Sequence, residues 1–337
     1  MVDHISATAE RNLALEAVRV TEAAAMAAEE YMGRGDDLAA DRAAVAAMHQ
    51  ALMGMNLVGT VRIGEGAEGE VPHLYIGEKV GTGNGPVVDV AAMPLEGPSI
   101  IAKGEPNGLS IIAMAEDGGF LGLTALYMDK IAVGGGLPKD VVDLDEEPAV
   151  NLRELAKAKG VEVSDLVVCI LDRPRHGELI SKVREAGARI ILIAAGDVSG
   201  VVATIWPRSG IDIYMGIGGA PQGVIAAAAL GSVGGQIQGR LVLRNAEDHR
   251  MASDMGIEDP QRKFTCGDMA FGNLTFAATG ITNGHILPGV RRLRGVPVTQ
   301  SLVLRSRTTT LRFIEAHHDY LQRTPPVGRS PRWHEGE

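Results

Sequence analysis

The sequence predicts a layered α/β fold, with helices packed on sheets, built as two units. Three observations predict it. Two N-terminal segments carry apolar residues at helical spacing; short strands broken by glycines follow; and from about residue 165 strands and helices alternate. At 337 residues the chain is long enough to bury a large core.

The first helix is read over 13–32, where Leu13, Ala17, Val20, Ala24, Ala27 and Tyr31 recur three and four apart, and "MGRGDD" breaks it. The second runs over 37–53, with Val45, Met48 and Leu52 on one stripe. Asp41 falls on the same stripe, where a carboxylate is costly without a partner. A cation there, an arginine such as Arg42, or a place at the edge of the stripe would each relieve that cost. The stretches "GTVRIGEG", "HLYIGEKVG", "GPVVDVAAM", "GLSIIAMAE" and "FLGLTALYMDKIAVGGG" read as strands of a largely antiparallel or mixed sheet. After residues 140–165 the rhythm changes: "DLVVCILD", "ARIILIAAGD" and "DIYMGIGG" read as strands, and "HGELISKVREAG", "VSGVVATIW" and "VIAAAALGSVGG" as the helices between them. The expected division is 1–160, 161–322 and a flexible proline-rich tail over 323–337.

A net charge of -10 argues against a nucleic-acid binder, and aromatics at 4% leave little surface for base stacking. Neither a spanning apolar run nor the profile of a signal peptide is present, so a cytoplasmic protein without membrane association is expected. Cys169 and Cys266 lie far apart and suggest neither a metal cluster nor a disulfide framework.

Four loops place polar groups directly after apolar runs. "GEGAEGE" (64–70) offers Glu65, Glu68 and Glu70 among glycines, as a cation-binding loop or a solvated turn would. "AAMPLEGPS" (91–99) ends an apolar run in the lone acid Glu96. "DRPRHGE" (172–178) sets Arg173, Arg175 and His176 between a strand and a helix, as a phosphate clamp or a salt-bridge patch. "GIGGAPQG" (216–223) presents glycine amides before a helix, a geometry that favours anions but often serves only packing. Tyr127 and Lys130 in "YMDK", Asp268, the segment 279–285, Arg305 and Arg307 are weaker candidates for substrate contacts.

Taken in order, "GRGDD…AD", "VRIGEG", "LYIGEKVGTGNG", "PLEG", "YMDKIAVG", "CILDRPRH", "GDVSG", "GIGGAPQG" and "VLRSRTTTLRFIEAHH" resemble the class II fructose-1,6-bisphosphatase family, over residues 10–320. That family belongs to the lithium-sensitive sugar and inositol phosphatase superfamily. The resemblance implies a two-domain sugar-phosphatase fold, metal-binding in its first half and sugar-phosphate-binding in its second. It also implies a site for Mg²⁺ or Mn²⁺ and hydrolysis of a sugar phosphomonoester. Carried onto this sequence, it makes Asp41, Glu65 and Glu96 the catalytic and metal residues. Tyr127, Arg173, Arg175, His176, Asp197, Gly218, Gly219 and Gln222 become the substrate-binding residues.

Five positions depart from the family pattern: Met93 replaces an aspartate, Pro98 a threonine, Gln222 a glutamate, Ala67 an acid and Ala195 an aspartate. A thioether is a poor ligand for a hard cation, and an amide lacks the charge of a carboxylate. The expectation is therefore a divergent sugar-phosphate phosphatase with a reduced metal site. Its alternatives are an isomerase, epimerase or lyase acting on a phosphorylated sugar, or an inactive sugar-phosphate sensor or partner subunit of an active paralogue. The resemblance also implies a homodimer or homotetramer.

Overall fold

The computed structural model describes residues 3–318 other than Thr124 and Arg294; the tail expected over 323–337 lies outside the described residues. Two helices, α1 (Asp3–Glu29) and α2 (Asp37–Met53), precede β1 (Val58–Ile63), β2 (Lys79–Val80), β3 (Val87–Glu96), α3 (Pro98–Lys103), β4 (Leu109–Glu116) and β5 (Tyr127–Val133). Next come α4 (Pro148–Lys159), β6 (Val167–Leu171), α5 (Gly177–Glu185), β7 (Arg189–Ile193), α6 (Asp197–Ala203), β8 (Ile213–Gly219), α7 (Ala220–Gly231) and β9 (Gln236–Val242). They are followed by α8 (Ala246–Asp254), β10 (Phe264–Thr265), α9 (Cys266–Met269), β11 (Thr275–Gly280), β12 (Arg291–Leu293), β13 (Val296–Arg305) and β14 (Thr310–His317).

These elements stack as α/β/α/β/α. The first sheet has the order β12-β13-β11-β4-β3-β1-β2, with β14 added beside β13; the second runs β10-β9-β5-β8-β6-β7. Helices α1 and α2 cover the outer face of the first sheet through a cluster that includes Val20, Met48, Leu52, Val90 and Ile112. Between the sheets, α6 and α7 bury Val198, Val202, Val224 and Leu230 against Ile111 and Phe276 on one side and Tyr214 and Ile237 on the other. Helices α4 and α5 close the outer face of the second sheet with Leu152, Leu155 and Val183. The apolar residues on both sides of α7 explain this middle position, because a helix apolar all round must be covered all round.

The layered α/β reading holds, and the alternating segment forms the parallel ladders β6–β7 and β6–β8. The sheets do not follow a division at residue 160. β5 joins the second sheet, and β11 to β14 return to the first. β11 is buried along its whole length, so its backbone needs a ladder on each edge, which β4 and β13 supply. A buried hydroxyl chain fixes α1 on this sheet: Thr21 and Thr279 oxygens lie 2.7 Å apart, as do those of Thr279 and Ser301. Helix α2 begins where predicted because the Asp36 carboxylate accepts the Ala39 N–H at 2.9 Å.

One expected strand is largely absent. Within "HLYIGEKVG" only Lys79 and Val80 form a strand, Tyr75 makes a single bridge to Gly66, and Leu74 takes φ +57° and Gly77 φ +96°. Those left-handed residues fold the segment into a loop, and the Glu78 carboxylate accepts the Leu74 N–H inside it. No helix among the described residues is long and apolar enough to cross a membrane.

Candidate functional site

A cavity of about 960 Å³ opens between the ends of the two sheets, and four loop systems reach it. Asp41 comes from the first turns of α2, and Glu65, Ala67 and Glu70 from the loop after β1. The end of β3 and the start of α3 contribute Met93, Glu96 and Pro98. Opposite them lie Tyr127, Arg173, Arg175, Ala195, Asp197, Gly218, Gly219 and Gln222. Every site residue that the resemblance implied except His176 thus lines one space, as do all five altered positions; the weaker candidates Lys130, Asp268, 279–285, Arg305 and Arg307 do not.

The β3 end shows how the chain aims its side chains. Met93 pairs with Ile111 and Glu96 with Leu109, so a register shift falls between them and turns Glu96 toward α6. Gly97, at φ +78°, makes the corner, and Pro98 occupies the first turn of α3, where a missing N–H costs nothing. Glu96 is buried: its two oxygens accept the Val198 N–H at 2.7 Å and the Ser199 N–H at 3.1 Å. Burial and the nearby Asp197 charge push its carboxyl up to about 8, against the pull of those two N–H groups and Lys130.

Asp197 is held from the other side. The Lys130 ammonium, 1% exposed, donates to its Oδ2 at 2.6 Å and to the Gly219 carbonyl at 2.8 Å. A side chain on Gly218 would put its Cβ 2.0 Å from Asp197 Oδ2, so the glycine admits the ion pair. Gln222 folds back over the loop, its Oε1 only 1.8 Å from where a Cβ on Gly219 would stand.

The acidic wall centres on Asp41 and Glu65. Burial, and then the charge of Asp41, lifts the Glu65 carboxyl to about 7; burial and Asp37 raise that of Asp41. Two carboxylates that repel each other in a cavity suit a hard cation. No third acid joins them at ligand spacing: among the described residues, only His49, His73 and Glu78 bring three such ligand atoms within 4.8 Å of one another. The carboxylates of Asp41, Glu65 and Glu96 line the same cavity without converging on one point. Met93 belongs instead to the apolar cluster between the sheets.

The opposite wall is cationic. Arg175 donates from Nε and Nη2 to the Ile217 carbonyl at 3.1 and 2.8 Å, and its guanidinium lies 5.3 Å from the Tyr127 ring centre. Arg244 stacks on the same ring at 4.4 Å. The sequence reading missed Arg244, which no short motif connects to Tyr127. Arg173 reaches the Asp172 carbonyl at 2.8 Å and leaves the rest of its fork toward the cavity.

His176 lies behind this wall, 2% exposed. Its Nε2 accepts the Ile217 N–H at 2.8 Å, so the ring proton sits on Nδ1 and is donated to the Leu171 carbonyl at 2.7 Å. Burial lowers its pKa and keeps it neutral. In place of the expected substrate contact, the geometry gives His176 the task of locking the arginine turn onto β8. Gly216, at φ +133°, leaves room for the ring.

The raised carboxyls have a testable consequence. A carboxyl lifted above its usual value binds its proton more tightly in the folded than in the unfolded chain. Its contribution to stability is therefore full below about pH 4.5 and lost as pH rises through about 7 for Glu65 and about 8 for Glu96. Urea unfolding at about pH 6 and about pH 9 should show the loss, and Glu96→Gln should flatten its upper part.

The sequence model of the family described as "Bacterial fructose-1,6-bisphosphatase, glpX-encoded" matches residues 11–318. Fructose-1,6-bisphosphatase 1 class 2 of Escherichia coli (strain K12) is 42% identical over 330 residues, which cover 94% of this chain and 97% of that protein. The class 2 enzymes of Escherichia coli O6:H1 (strain CFT073) and Shigella flexneri match at the same 42% identity and coverage.

Proposed function

This chain belongs to the glpX-encoded bacterial fructose-1,6-bisphosphatase family, and on that premise we propose that it hydrolyses a phosphomonoester of a sugar bisphosphate at a reduced metal site. The observation that carries this reading is a cationic wall facing the Asp41–Glu65 pair across a single cavity of about 960 Å³, a size that suits a small phosphorylated sugar.

One phosphate is assigned to Arg173 and Arg175 together with the glycine amides before α7, where directional N–H donors and the helix terminus favour an anion. Asp197, fixed by Lys130, faces the sugar hydroxyls as an acceptor. Asp41 and Glu65 fit one Mg²⁺ or Mn²⁺, which is commonly held by one or two carboxylates together with substrate phosphate. Such an ion supplies charge neutralisation and a more acidic bound water. Glu96 contributes by holding the first turn of α6, and with it Asp197, in place.

A second reading, a sugar-phosphate sensor or the partner subunit of an active paralogue, is favoured by the chemistry of the depleted positions. Met93 and Gln222 offer no negative charge, and both Glu96 oxygens are engaged by backbone N–H groups. The deciding experiment measures phosphate release from ketose and aldose mono- and bisphosphates with Mg²⁺, with Mn²⁺ and with chelator, and the mass of the remaining sugar. Metal-dependent release that Glu65→Gln abolishes supports the phosphatase. A rearranged sugar that keeps its phosphate makes the protein an isomerase, epimerase or lyase. Tight binding without turnover supports the sensor.

A further inference from the structure

A second cluster of ligating side chains sits outside the cavity. His49, on the fourth turn of α2, stacks on His73 with ring centres 4.1 Å apart and planes inclined by 15°. His49 Nε2 lies 3.2 Å from Glu78 Oε1. One ligand atom from each of His49, His73 and Glu78 lies within 4.8 Å of the others, and all three residues are half-buried, open enough for an ion to enter. None of the three lines the cavity.

We propose that His49, His73 and Glu78 form a transition-metal site of the zinc class, which clasps the loop carrying Glu65 to the helix carrying Asp41. Two imidazoles and one carboxylate are a three-ligand set to which water adds as the fourth ligand of a tetrahedral ion. Ligands about 2.0–2.1 Å from such an ion stand roughly 3.3 Å apart. The His49–Glu78 pair is already at that spacing, and the ligand atom of His73 lies within 4.8 Å of both. Imidazole donors select Zn²⁺ over Mg²⁺ or Ca²⁺, which take oxygen ligands, so this site and the Asp41–Glu65 pair would sort different metals. Glu78 also has the outer support that a metal ligand needs, since its second oxygen accepts the Leu74 N–H.

The clasp reaches the cavity through the backbone. The Leu74 carbonyl, next to His73, accepts the Glu65 N–H at 2.9 Å, and Ile76 N–H donates to the Gly66 carbonyl at 2.9 Å. An ion joining His73 and Glu78 to α2 therefore fixes both ends of the turn on which Glu65 is hung.

The test is Zn²⁺ binding by the full, metal-stripped chain in excess Mg²⁺, with bound zinc counted after gel filtration and Co²⁺ absorption reporting nitrogen ligation. One Zn²⁺ per chain is expected. Binding should weaken at least ~100-fold in His49→Gln and in His73→Gln, because loss of an outer-sphere partner alone typically costs 10- to 100-fold. Glu65→Gln should bind zinc as the unaltered chain does, and circular dichroism should show each variant folded. The proposal is overturned if the unaltered chain retains no zinc, or if both folded histidine variants bind it undiminished. Should one histidine variant not fold, the other decides.

Discussion

Replacing Lys130 by methionine is expected to be among the most destabilising single changes in the molecule, at about 3–5 kcal/mol, the usual result of removing one partner of a buried ion pair. Lys130 reaches Asp197 in a space where both side chains are nearly excluded from water. Without the ammonium, Asp197 keeps a buried charge beside Glu96, and the Gly219 carbonyl loses its donor. The loss is electrostatic rather than a packing defect, because methionine fills most of the lysine volume. Lys130→Met combined with Asp197→Asn should therefore recover a large part of the loss. Urea unfolding of the single and double variants makes the comparison. A single variant within about 1 kcal/mol of the unaltered chain would mean that the pair does not hold the start of α6 on the second sheet.

The second large effect is a gain. Met93→Asp combined with Gln222→Glu is expected to raise metal-dependent phosphate release on the order of 10²-fold, comparable to what a well-placed electrostatic group contributes to a transition state. Both positions already line the cavity beside Asp41, Glu65 and Glu96, so the added carboxylates need no change of backbone. They would also add two negative charges to a wall that already raises Glu65, so the variant should be less stable without cation and respond more strongly to Mg²⁺ or Mn²⁺. Phosphate assays and thermal unfolding with and without the metals read the two effects. A variant that binds the cations more tightly but still releases no phosphate would favour the sensor reading over the weakened phosphatase.

Much of the lining of the candidate cavity was legible because the sequence presents it in short, ordered loops. Asp41 stood out as an acid on an apolar stripe, and Glu65, Glu96, Arg173, Arg175 and Gly218 each follow an apolar run at the point where a strand or turn ends. Their convergence on one cavity follows from the parallel ladders that set β1 beside β3 and β6 beside β8, and from the packing of both sheets on the layer between them. What the loops could not reveal was occupation. Glu96 and His176 have the residue types of a metal ligand and a phosphate contact, yet their polar atoms are bound to the backbone of α6 and of β6 and β8. The N–H groups of Val198, Ser199 and Ile217 lie far away in sequence, so no local pattern announces them; only the Leu171 carbonyl is close in sequence to the side chain it binds.

The sequence by itself determined the local elements: the two N-terminal helices, the change from glycine-broken strands to alternating β and α, and the chemical character of each loop. These depend on periodicity and on nearby side chains. Only the tertiary structure decided which sheet each strand joins, that α7 is buried between two sheets, that Arg244 meets Tyr127, and that His49 meets His73 and Glu78. Each of these depends on surfaces brought together from distant parts of the chain, where burial and the demand that every backbone polar group find a partner outweigh local propensity.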